Sequence, residues 1–121
     1  MTRKAPVTEV AQIERDATVM IDAGHDVVVI FKAVPPQIVR DSLKARGFRF
    51  AAGKWTLSPR EVDEVSRKVL RGDLDEDTAN DLIEKILNDV AVAVARDIAA
   101  AGLRVVRLGA ADADGIEYEV L

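Results

Sequence analysis

The sequence predicts an α+β fold, a single domain over 1–121 in which helices pack against a mixed or antiparallel sheet. Three observations lead there. Stretches with apolar residues at three- and four-residue steps are interleaved with short β-branched runs of period two. Glycine and proline punctuate the boundaries between them. A chain of 121 residues with 49% hydrophobic content can bury one core, and with only three Phe, one Trp and one Tyr that core must be mostly Val, Ile, Leu and Ala. The element order read from these signals is α-β-α-β-β-α-α-β-β.

Residues 1–6 read as a loose tail. Over 7–23, Val10, Ile13, Ala17, Met20 and Ile21 mark a first helix, with Thr8 as N-cap and Gly24 in the left-handed position beyond its end. Val27, Val28, Val29, Ile30 and Phe31 form a continuous apolar strand, covered on both faces and central in its sheet. Pro35 and Pro36 stop it and open a helix with the stripe Ile38, Val39, Leu43 and Ala45, ended by Gly47. Residues 48–50 and 55–57 then alternate at period two around Ala51, Ala52, Gly53 and Lys54, a short hairpin. Alternation places Phe48, Phe50, Trp55 and Leu57 on one face, under the preceding helix, and Arg49, Lys54 and Thr56 on the other.

Ser58, Pro59 and Glu61 have the spacing of a capping box: serine N-cap, proline at N1, glutamate at N3. They open a helix to about Leu70 that Gly72 closes. Asp75 or Asp77 caps a long helix over 78–101, apolar along Ala79, Leu82, Ile83, Ile86, Leu87, Val90, Val94 and Ile98. Ala91, Val92, Ala93 and Ala95 widen that stripe beyond what a one-sided helix needs, which points to a homodimer. Residues 103–108 and 116–120 alternate as a closing hairpin across a turn rich in glycine and aspartate.

Composition narrows the function classes. The absence of cysteine removes disulfides, thiolate catalysis and cysteine-ligated metals, and fits a reducing cytoplasm. No apolar h-region follows Met1, Thr2, Arg3 and Lys4, so no signal peptide is expected. The longest mostly apolar stretch, 90–103, is interrupted by Arg96 and Asp97 and is too short to span a bilayer, so no membrane partner is expected.

The charges are sorted along the chain. Between residues 32 and 72, ten basic residues face only Asp41, Glu61, Asp63 and Glu64, a net +6. Over 73–121 the balance reverses to −8, within a total of −4. The chain thus divides into a basic β-α-β-β-α unit, 27–71, and an acidic long helix with a β-hairpin, 73–121. A basic segment carrying aromatics suits an anionic partner, whereas the acidic half repels one.

The sharpest candidate within it is the aromatic–basic hairpin. Lys44, Arg46, Arg49 and Lys54 supply clustered, long-armed cations of the kind that neutralise phosphates, and an exposed Trp55 would stack on an unpaired base. The competing reading puts the aromatics in the core and leaves the cations to solvate the outside.

Residues 27–65 run strand, proline, helix ending Leu43-Lys44-Ala45-Arg46-Gly47, aromatic strand, Lys54-Trp55, then Ser58-Pro59 and a further helix. This third of the chain resembles the HARP domain, the accessory DNA-binding module of annealing helicases, and related small phage and plasmid modules. The resemblance implies a β-α-β-β-α unit that recognises single-stranded or forked DNA, with Phe48, Phe50, Lys54 and Trp55 at the matching positions.

Other constellations are weaker. The segment 73–84 places oxygen ligands at calcium-loop spacing, yet Thr78 stands where the sharp turn needs glycine, and helix capping explains its acids more simply. His25 is the only histidine, and Asp112, Asp114, Glu117 and Glu119 suit a solvated hairpin. With no phosphate-cradling glycine loop and no nucleophile elbow, the expectation is a protein that is not an enzyme and needs no cofactor or metal. Two functions remain: a nucleic-acid-binding accessory domain, or a small inhibitory, protein-binding module of phage or mobile-element type. The second would dock through Asp81, Glu84 and Asp89 on the long helix, mimicking DNA.

Overall fold

The computed structural model describes residues 2–23 and 25–121. Its elements are β1 (Arg3–Ala5), α1 (Val7–Ala11), β2 (Ala17–Ile21), β3 (Val27–Phe31), α2 (Gln37–Ala45), β4 (Arg49–Ala51), β5 (Lys54–Leu57), α3 (Arg60–Leu70), α4 (Glu76–Ala100), β6 (Val105–Asp112) and β7 (Gly115–Val120). The strands form one seven-stranded sheet in the order β1-β7-β6-β2-β3-β5-β4. Each neighbouring pair is antiparallel except β2 with β6, so the sheet is mixed and the fold α+β.

β3 is an interior strand next to the middle strand β2, and it is buried on both faces over Val27, Val28 and Val29 but not at Ile30, which is exposed on the reverse side. Val27 and Val29 face the helices beside Ala17 and Val19 of β2, while Val28 is buried on the reverse side. α2, α3 and α4 cover the helical face. α2 contributes Val39 and Leu43, α3 contributes Val62 and Val65, and α4 contributes Ala79, Ile83, Leu87, Ala91, Val94, Ala95 and Ile98. Ala91 and Ala95 are therefore absorbed within the chain, where small side chains let α4 approach the sheet closely. Val92 and Ala93 are half-buried, so the apolar width that suggested a homodimer is largely used internally.

The hairpin has the expected register. Phe50 lies opposite Trp55, Trp55 opposite Val29 and Leu57 opposite Val27, all on the helical face, while Arg49 pairs with Thr56 and Ala51 with Lys54 on the reverse. The turn runs through Ala52 and Gly53, both at positive φ (52° and 79°), the arrangement of a type I′ hairpin turn.

Four local expectations are corrected. The first helix does not reach residue 23; it ends at Ala11, and residues 17–21 are strand β2, inserted between β3 and β6. Helical spacing of Ala17, Met20 and Ile21 coincided with a period-two run in which Thr18 and Val19 are β-branched, and sheet pairing decides between them. α1 is capped by Pro6 and not by the Thr8 side chain, and the role expected of Gly24 lies outside the described residues. The expected tail holds an edge strand, β1, paired to β7. The capping box does not form: α3 starts after Pro59 with no side-chain cap, because Ser58 Oγ donates to Asp26 Oδ1 (2.5 Å) across the sheet.

The acidic segment behaves as a cap. Asp75 accepts hydrogen bonds from the Thr78 N–H (3.0 Å) and the Thr78 hydroxyl (2.8 Å) at the start of α4. β6 continues through Asp112, four residues past the expected end, with a bulge between Leu108 and Ala111. No helix among the described residues is long and apolar enough to cross a membrane.

Candidate nucleic-acid interface

At its C-terminal end β3 delivers Phe31 to the helical face, and the chain then turns through Lys32, Ala33, Val34 and Pro35 before entering α2. Four residues apart on α2, Arg40 and Lys44 project from the same side of the helix. The tip of the β4–β5 hairpin approaches from the other flank with Phe50, Gly53 and Trp55. These three segments enclose a cleft of about 630 Å³. Phe31, Val34, Pro35, Phe50 and Trp55 supply apolar wall; Lys32, Arg40 and Lys44 supply charge, and among the described residues no acidic side chain lines it.

The two hairpin aromatics divide the labour. Trp55 is only 5% exposed and belongs to the core, and it also lines the cleft. Phe50 is 60% exposed, on an edge strand with no further neighbour. Their centroids lie 5.2 Å apart with the planes tilted by 56°, within the range of a favourable aromatic pair. The buried indole thus fixes an exposed phenyl ring in place.

The cations of the cleft are not held in close ion pairs, although Glu14, its carboxyl pKa lowered first by Arg104, lies near enough to Lys32 to be lowered further by it. Among the described residues Lys32, Arg40 and Lys44 form no ion pair. Arg40 Nη2 donates to Gln37 Oε1 (2.8 Å), and Gln37 in turn donates to Asp41 (2.7 Å). Arg40 Nε is sealed from solvent with no hydrogen-bond partner. A buried donor of this kind costs roughly 1–3 kcal/mol until an acceptor reaches it.

The residues singled out from sequence fall in different places. Lys44 and Trp55 line the aromatic cleft. Arg46 leaves it, donating from Nε (3.1 Å) and Nη2 (2.5 Å) to Asp97 of α4, a tie between the basic and acidic halves. Arg49 and Lys54 are exposed on the reverse side of the hairpin. On α4, Asp81 and Glu84 are exposed, and Asp89 is paired with Lys85 (2.9 Å). His25 is exposed in the β2–β3 turn at φ 64°, its N–H bonded to the Asp22 carbonyl. Among the described residues no cluster of three or more His, Asp or Glu is placed to hold a metal ion.

Phe31, Lys32 and Arg40 were not singled out from sequence. Arg40 and Lys44 carried a signal in their four-residue spacing on one helix. Phe31 and Lys32 carried none, because a strand run and the loop after it give no sign of facing a hairpin twenty residues later.

No family model, no curated protein and no solved structure matches this chain, so the geometry of the cleft bears the functional argument.

Proposed function

We propose that this chain is a non-enzymatic accessory domain that binds single-stranded nucleic acid, DNA in the first instance, in the cleft between α2 and the β4–β5 hairpin. One observation carries the reading: an exposed aromatic ring, backed by a buried one, shares a cleft with three cations that form no ion pair among the described residues, none of which lines the cleft with an acid. Stacking on Phe50 suits an unpaired base of any identity, worth roughly 1–3 kcal/mol per base. Lys32, Arg40 and Lys44 suit the phosphates flanking that base, with the release of condensed counterions as the driving force. A duplex keeps its bases paired and offers the ring nothing to stack on, so single strands or the single-stranded arms of a fork are preferred.

Fluorescence polarisation with labelled single-stranded, forked and duplex DNA at two salt concentrations tests this. The reading expects single-stranded and forked DNA to bind more tightly than duplex, with affinity falling steeply as salt rises. Absence of binding to any of the three would transfer the function to the acidic surface of α4 and a basic protein partner.

A further inference from the structure

Edge strand β4 has a second cleft at its other end. There the chain leaves α2 through Arg46 and Gly47 and leaves β5 through Ser58 and Pro59, and a hollow of about 830 Å³ opens between the two exits. Arg46, Arg49 and Arg60 line it against a single acid, Glu61. Among the described residues Arg49 and Arg60 form no ion pair, and both are exposed. Arg49 lines this cleft and Phe50 the aromatic one, so the two meet along β4, whose residues Arg49, Phe50 and Ala51 are all exposed; no strand among the described residues pairs with its outer edge.

We propose that this arginine cleft is a second, phosphate-binding subsite for the same ligand, whose backbone runs along the edge of β4 from the aromatic cleft to Arg49 and Arg60. The proposal rests on the single-strand reading above and specifies its ligand. Trp55 in the first cleft and Ser58 in the second are three residues apart along the direction of β5, a reach of about 10 Å at about 3.3 Å per residue. A stacked strand advances about 3.4 Å along its axis per phosphate, and an extended one further, so that span is at most roughly three nucleotides. A dinucleotide therefore fills the aromatic cleft alone, while a strand of about four or more nucleotides engages both ends. The arginine cleft offers no aromatic ring, so it holds backbone without reading bases.

Polarisation titrations with labelled di-, tetra- and octathymidylate test this on the parent, on the double variant Arg49→Ala with Arg60→Ala, and on Phe50→Ala. The double variant should bind the dinucleotide as the parent does and the octamer at least about tenfold more weakly. Its log–log salt slope for the octamer should fall by about 1.4, two single-strand phosphate contacts. An octamer bound with parental affinity and slope, or a loss equal at every length, overturns the second subsite. Phe50→Ala should weaken every length. If it weakens none while the arginine pair still matters, the aromatic reading fails and the arginine subsite stands. If the parent binds no length, both fall.

Discussion

Phe50 and Trp55 are direct cross-strand partners 5.2 Å apart, yet one ring is 60% exposed and the other 5%. The pair separates stability from binding. Trp55→Ala should cost about 3–5 kcal/mol, the usual penalty for emptying a large aromatic site in a core. Phe50→Ala should lose only the pairing increment of about 0.5–1.5 kcal/mol. Urea denaturation of both variants checks this; comparable losses would mean that Phe50 is also a core residue.

The β1 edge depends on Gly115. It sits at φ 139°, and a Cβ there would lie 2.2 Å from the Ala5 carbonyl oxygen. Gly115→Ala must push the first strand off β7, in addition to a backbone penalty of about 1–3 kcal/mol. Hydrogen exchange should show protection lost at the β1 amides that bond to β7, on every second residue of this edge strand, while β3 keeps its own. Unchanged exchange at β1 would contradict the contact.

Ala52 adopts φ 52° in the hairpin turn, where an L-residue with a Cβ is disfavoured by roughly 1–2 kcal/mol. Asparagine tolerates that region and is preferred in type I′ turns, so Ala52→Asn should raise the urea midpoint by the equivalent of about 1 kcal/mol. A midpoint equal to or below the parent's would show that the turn carries no such strain.

Hydrogen bonds from the Thr78 backbone and then its hydroxyl hold the Asp75 carboxyl below its ordinary value of 3.8. A depressed carboxylate stabilises the fold above its unfolded value, and that contribution disappears as pH falls through the lower, folded value. Asp75→Asn keeps an acceptor at the cap but does not titrate there. The parent's advantage over Asp75→Asn should therefore be constant above about pH 5 and shrink below pH 4. A difference that stays level down to pH 2 would show that the cap does not respond to protonation.

The hairpin, the interior strand β3 and the long helix were legible in the sequence because local period and tertiary burial agree there: Val27, Val28 and Val29 are buried as a continuous apolar run demands, and Trp55 faces Val29 as alternation requires. Legibility failed where two signals coincide or a distant partner competes. Ala17, Met20 and Ile21 satisfy a helical step, but β2 is fixed by β3 and β6, the second of which lies some ninety residues later in the chain. Ser58 has cap spacing, but its hydroxyl is taken by Asp26, 32 residues earlier. The candidate site was half legible for the same reason. Lys44 and Trp55 stand in the cleft, while Arg46 is drawn to Asp97, and Phe31, Lys32 and Arg40 are brought in by folding.

Trp55 is the only tryptophan, and it lines the cleft, so its fluorescence is a reporter placed at that site. Titration of the protein with octathymidylate at low salt, with emission and polarisation followed together, tests the central claim most directly. The account predicts saturable quenching with the same midpoint as the polarisation change, both lost in Lys44→Glu, whose side chain lies on an exposed helix position and leaves the core intact. Binding that leaves the Trp55 emission unchanged, or that survives Lys44→Glu undiminished, would place the ligand elsewhere and contradict it.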